Sequence, residues 1–246
     1  MRKIVVLALL CTALVSTSAF AGVILSESWE TGGAGWVDYG TATPHPSIVT
    51  DQAFDGTHSL RTADNTGTNY TNAKDYTLAA STGKTWTASW NFFDTGATRD
   101  YMQIYCFDGT GAVAQLMAFG AYNGLDSGKY NYRVAYSSCN WVASPIVRTN
   151  NVWHAVKVEQ LYKDGDASAT VNFYIDNTLA GSATTTAVYG VSKLRIGAGL
   201  TNAGHGVYFD NIVLSVPDPI VPEPGSMLAL GSGLIGLVGF VLRRRA

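Results

Sequence analysis

Lys84-Thr85-Trp86-Thr87-Ala88-Ser89-Trp90-Asn91-Phe92 places Trp86, Ala88, Trp90 and Phe92 on one side of an extended chain and Thr85, Thr87, Ser89 and Asn91 on the other. Side chains alternate across a strand with a period of two, so the stretch predicts a half-buried β-strand. Residues 101–107, 129–136, 152–161, 170–176, 193–196 and 207–214 read similarly, and Gly, Asn, Asp and Ser-rich turns separate them. No convincing amphipathic helix interrupts the series, and no anchor pattern recurs with a period of 20 to 50 residues. Many short strands without a repeat predict an all-β fold: one antiparallel β-sandwich, or jelly roll, over residues 22–216.

Outward from this domain the composition changes. Of the 246 residues, 47% are hydrophobic and 14% charged, with a formal net charge of −2. Five of the sixteen basic residues, Arg2, Lys3, Arg243, Arg244 and Arg245, sit at the two tips. Residues 22–224 therefore hold 11 basic against 18 acidic groups, a net of −7. An acidic domain gives no reason to expect nucleic acid.

At the first tip, Arg2 and Lys3 precede an apolar run over residues 4–15, and Ala19-Phe20-Ala21 follows before Gly22. A basic start, an apolar middle and an A-x-A end predict a secretory signal peptide over residues 1–21, cut between Ala21 and Gly22. A retained anchor would need a longer apolar run. At the other tip, residues 217–225 form a proline-rich linker, residues 226–242 carry no charge, and residues 243–246 read Arg-Arg-Arg-Ala. Seventeen residues at helical rise cover about 25 Å, enough for one transmembrane helix across a thin bilayer. The arginines would stay on the cytoplasmic side and send residues 22–224 outward. The competing reading, a buried core helix, sits poorly with prolines before the segment and arginines after it.

Pro222-Glu223-Pro224, the single apolar segment and the Arg243-Arg244-Arg245 cluster together resemble the PEP-CTERM sorting signal of Gram-negative bacteria. The resemblance implies a membrane-embedded exosortase as partner, transient anchoring in the inner membrane, and delivery to the cell surface or extracellular matrix. Two prolines keep the motif extended and deny it helix, and Glu223 resists entry into lipid.

A second resemblance lies inside the domain. Trp153-His154 within the strand 152–158, Asp164-Gly165, and Tyr174-Ile175-Asp176-Asn177 are similar to adjacent strands of laminin-G-like and concanavalin A-like jelly rolls. Asn177 stands where those folds commonly place glycine, and asparagine also accepts left-handed turn geometry. Glu27, Trp29, Glu30, Trp36 and the closing Tyr208-Phe209-Asp210-Asn211-Ile212 resemble carbohydrate-binding modules, in which an early Glu and a late Asp tie terminal strands through calcium. By position these are Glu30 and Asp210, so Ca²⁺ is the metal that the resemblance implies. The bland alternative is a solvated Glu30 and an Asp210 that caps a turn.

Chemistry is sparse. A glycosidase needs two carboxylates facing one cleft. Glu27 and Glu30 differ by three and fall on opposite faces of a strand, whereas Asp164 and Asp166 flank Gly165 in a turn. His45, His58, His154 and His205 show no metal-ligand spacing, and no G-x-S-x-G or H-E-x-x-H run occurs. No catalytic residues are assigned. For binding, Gln103 and Tyr105 share one face of the strand 101–107, Arg133 and Asn131 point opposite to Tyr132 and Val134, and Trp141 follows in a loop. Gln103, Tyr105, Arg133 and Trp141 are the candidate ligand-binding groups, flooring a concave groove for polysaccharide. Cys106 and Cys139 survive signal removal in an exported domain, where a bridge would add about 3 to 4 kcal/mol; two unpaired core cysteines are the alternative. The leading expectation is a non-catalytic carbohydrate-binding or structural sandwich. The competitor is a polysaccharide-active hydrolase or lyase whose carboxylates meet only in three dimensions.

Overall fold

The structure, a computed structural model of the chain, describes residues 21–40, 43–63, 73–134, 140–185, 187–197 and 206–217. The expected signal peptide, including Ala19, lies outside these residues except for Ala21, as do Pro222, Glu223, Pro224, the apolar segment and the terminal arginines. Gly22–Val216 form one compact unit. Among the described residues no helix is long and apolar enough to cross a membrane.

Fifteen strands fill the described part of the unit, in two antiparallel sheets. In one sheet β13 (Thr178–Thr184), β12 (Thr170–Ile175), β11 (Trp153–Leu161), β6 (Trp86–Phe93), β15 (Tyr208–Pro217), β4 (Ser59–Arg61) and β3 (Ser47–Val49) follow one another, with β1 (Ala21–Glu27) beside β15. The other runs β10 (Val142–Val147), β9 (Lys129–Arg133), β8 (Val113–Tyr122), β7 (Arg99–Phe107), β14 (Lys193–Ile196), β5 (Ala73–Thr77) and β2 (Trp36–Tyr39). The all-β sandwich read from alternation is thus the fold.

β6 lies centrally between β11 and β15 and turns Trp86, Ala88, Trp90 and Phe92 inward, all buried. Val156 and Val158 of β11, Phe173 of β12, Phe209 and Leu214 of β15, and Phe119 of β8 in the other sheet complete the core. Burying each such side chain contributes roughly 1.5 to 3 kcal/mol. Asp176 and Asn177 join β12 to β13 with both residues left-handed, at φ 49° and 62°. This is the two-residue turn whose twist matches a hairpin, and it explains why Asn177 serves in place of glycine. Asp176 also accepts from the Ala155 N–H at 2.9 Å and pairs with His154 Nδ1 at 2.6 Å, which fixes the Trp-His strand against the turn.

Cys106 corrects one expectation. It is a free thiol, buried with Met102 and Ile104 on the core face of β7, and burial pushes its pKa up to about 12. The alternative of an unpaired core cysteine holds for Cys106; Cys139, its expected partner, lies outside the described residues. A second departure is β8, whose Leu116 to Ala121 are buried without alternation. Pro145 interrupts β10 at the edge of the seven-stranded sheet, where the pairing with β9 slips between Ala143 and Val147. An edge is where a residue lacking an N–H is tolerated.

At one end of the sandwich Asp94 accepts from Arg148 Nε at 2.9 Å and from the Tyr130 hydroxyl at 3.2 Å. Nearby Asp100 is fully buried and accepts from the Thr62 hydroxyl at 2.6 Å, while its Oδ1 has no partner. Burial, and then the charge of Asp94, raise the Asp100 pKa to about 7.

Candidate functional site on the outer face of the seven-stranded sheet

Pairing registers align Asp75, Arg195, Gln103, Ala118 and Arg133 in one row across β5, β14, β7, β8 and β9. Their neighbours Leu194, Ile104 and Met117 turn into the core, so this row belongs to the opposite, outward face. Asp75 accepts from Arg195 through two bonds of 2.6 and 2.7 Å, and from Lys193 Nζ at 3.1 Å. Burial works against the guanidinium charge, but Asp75 outweighs it and holds Arg195 above its ordinary range. The Tyr39 ring lies 3.3 Å from Arg195 Cζ, and Lys193 Nζ lies 4.3 Å from the Tyr105 ring and 5.8 Å from that of Phe107. Tyr105 donates to Gln103 Oε1 at 3.0 Å, and Gln103 Nε2 has no partner.

Across the sheet, Trp141 stacks on Tyr122 with centroids 4.4 Å apart and meets Tyr101 edge-on at 4.8 Å. Arg133 lies 5.8 Å from the Trp141 ring and Arg99 4.6 Å from the Tyr122 ring. The outward face therefore carries two aromatic and cationic clusters, separated by Gln103 and Ala118.

Gln103, Tyr105, Arg133 and Trp141, the four ligand candidates read from sequence, share this face. They are nevertheless covered, each less than 10% exposed, so they form a foundation beneath it. The more open groups are Tyr39, 39% exposed, and the partly exposed Phe107, Tyr122 and Lys193. Sequence reasoning missed Tyr39, Asp75, Lys193 and Arg195. The alternation Lys193-Leu194-Arg195-Ile196 carried a signal, two cations on one face, whereas the Asp75 partnership joins residues 120 positions apart.

The other carboxylates singled out from sequence lie away from this face. Glu27 is buried and accepts from the Trp29 N–H at 2.6 Å. Asp164 and Asp166 flank Gly165 in a turn closed by the Asp166 N–H to the Lys163 carbonyl. Glu30 and Asp210 converge on one turn, residues 54–58. Glu30 accepts from the N–H groups of Thr57 and His58, both at 2.7 Å, and its pKa is lowered to about 2 by His58 and these donors. Asp210 Oδ2 accepts from Phe54 and Asp55 at 2.9 and 3.2 Å, and Oδ1 from Asn211 at 2.7 Å. Calcium requires a shell of oxygens. This turn presents N–H donors, and among the described residues no three His, Cys, Asp or Glu side chains gather. As arranged, Glu30 and Asp210 clasp this turn.

Residues 221–245 match the PEP-CTERM protein-sorting motif. That motif marks export and membrane-associated sorting, with exosortase as the processing partner. No curated protein matches the chain. Among solved structures, the endo-1,3-beta-glucanase from Streptomyces sioyaensis superposes with a TM-score of 0.52 at 12% identity, over 84% of this chain and 100% of that one. A sialidase gives a TM-score of 0.51 at 11% identity, over 79% of this chain; the match spans only 18% of the sialidase. At such identities the likeness shows a common fold and leaves activity open. The chain is thus a two-sheet β-sandwich that carries the PEP-CTERM sorting motif at residues 221–245.

Proposed function

We propose that the exported sandwich binds polysaccharide without cleaving it, at the cell surface or in the extracellular matrix, through the outer face of the seven-stranded sheet. The observation that carries this reading is the exposed Tyr39 ring beside the Asp75, Arg195 and Lys193 cluster. An aromatic face offers stacking to a sugar ring, and fixed donors and acceptors beside it select hydroxyl geometry. The non-catalytic part is supported by the carboxylate inventory. Among the described strands Asp75 is the one carboxylate on this face, already held by Arg195 and Lys193. Asp94 and Asp100 are fully buried and reach no open groove. Cleavage needs two carboxylates across a bound sugar, about 5 to 10 Å apart.

A glycan array probed with residues 22–216 tests the reading. Retention on at least one polysaccharide, lost at least tenfold in Tyr39→Ala and with no new reducing ends released, is expected. Silence across all glycans would favour a purely structural component, and released oligosaccharide would favour the hydrolase. For the sorting route, Glu223→Gln, or deletion of Arg243, Arg244 and Arg245, is expected to retain the protein in the membrane fraction. Unchanged release into the medium would remove the assigned role of those residues.

A further inference from the structure

At one edge of the sandwich, a cavity of about 280 Å³ is lined by Trp29, Trp36, Pro46, Ser47, Ile48 and Lys74, with glycines 32 and 33 completing the wall. Trp36 begins β2 of one sheet and Ser47 begins β3 of the other, so the cavity lies where both sheets end.

Three features there are not accounted for by core packing. Trp29 has φ 64°, a left-handed conformation that bulky residues rarely adopt. Its N–H bond to Glu27 and the Gly32 N–H to its carbonyl, at 3.2 Å, hold it so. Gly33 is also left-handed, and a Cβ there would meet the Trp29 ring at 3.0 Å, so only glycine lets this loop lie against the indole. The Trp29 and Trp36 rings lie 5.2 Å apart, and the indole N–H of each is buried without a partner. Buried donors are ordinarily satisfied, and two orphans beside one cavity point to an acceptor that the chain does not supply. Finally, Lys74, in the wall, has its Nζ 2.6 Å from Asp38 Oδ1, so this donor carries no net charge of its own into the cavity.

We propose that this cavity is a carbohydrate subsite, separate from the outer sheet face, that takes a single neutral pyranose ring. Its volume falls just below the roughly 300 Å³ at which ordinary ligand pockets begin, which admits one ring rather than a chain. The paired indoles, 1% and 8% exposed, form the apolar floor of the cavity and offer no open ring face. Ring and hydroxyl oxygens supply acceptors to the orphaned N–H groups, and Lys74, its charge balanced by Asp38, offers a donor without favouring a carboxylate. The ligand class follows from this cavity's own groups and does not rest on the outer-face reading.

Saturation-transfer NMR on the full chain, in a detergent without a sugar headgroup, tests the proposal with D-glucose, D-galactose, D-mannose and D-glucuronate as probes. At least one neutral hexose is expected to show transfer. The signal should fall at least fivefold both in Ser47→Trp, which fills the mouth from an exposed edge strand, and in Lys74→Met, which removes a wall donor. Either variant serves if the other misfolds. Transfer from none of the three neutral hexoses overturns the proposal, as does transfer from glucuronate alone. Transfer that persists in Ser47→Trp but disappears in Tyr39→Ala also overturns it, by assigning the sugar to the sheet face.

Discussion

The outward faces of the two sheets have similar residue types and opposite fates. On the eight-stranded sheet, Tyr174 and Asn172 donate to Glu159 at 2.8 and 3.2 Å, Lys157 pairs with Glu159 at 3.0 Å, and Ser182 donates to Asn172 at 2.8 Å. These groups remain partly exposed, as a half-buried sheet allows. On the seven-stranded sheet, Asp75, Gln103, Arg133 and Arg195 are buried on the face where alternation leads one to expect solvent. An open polar ladder costs little and specifies little. A covered one demands partners for its charges, and the Asp75–Arg195 clasp and the Tyr39 and Tyr105 rings answer that demand. The difference is that the second sheet's outward face is covered and must satisfy its charges internally.

The comparison can be broken or sharpened by measurement. The largest effect is expected from the core that both sheets share: Phe209→Ala, which removes a fully buried ring packed 5.5 Å from Phe92, should cost about 3 to 5 kcal/mol in denaturant unfolding. Next comes pH. Folded Asp100 keeps its proton to about pH 7, whereas an unfolded aspartate releases it near 4. Protons therefore favour the fold between these values, and stability should decline as pH rises through the window, by up to roughly 4 kcal/mol. A flat profile for the parent chain, or an unchanged slope in Asp100→Asn, would contradict this.

Third, Asp75→Ala leaves a buried Arg195 without its carboxylate and should cost about 3 kcal/mol. Replacing both by Met and Leu should restore most of that stability while glycan retention stays lost. Recovery of both properties together would make the clasp merely structural. The smallest effect belongs to the open ladder, where Lys157→Ala should change stability by under about 1 kcal/mol because the lysine is well exposed. A loss as large as that for Asp75 would erase the distinction between the faces.

Much of the fold was legible because one-sided burial writes a period of two into the chain. β6, β11, β12, β14 and β15 were found at or within a few residues of their ends for that reason. β8 was not, since Leu116, Met117, Ala118 and Phe119 are buried on both faces and their apolar run has no period. The short β2 and β4 offered three or four residues each, too few for any pattern. For the site, alternation put Gln103, Tyr105 and Arg133 on the correct side of their strands, but it could not show that the side was covered. Nor does local sequence announce that Asp75 meets Arg195, or that Trp29 turns left-handed beside Gly33. Those depend on which strands become neighbours and which loops cross an edge.

Pro145 acquires a further meaning once sorting is considered. Molecules sorted by a common motif to one membrane meet at high local concentration, the condition under which an unguarded sheet margin recruits a neighbouring chain and polymerises. A missing N–H and a slipped register at β10 make that margin a poor template. Crowded copies would then be less able to join through this margin.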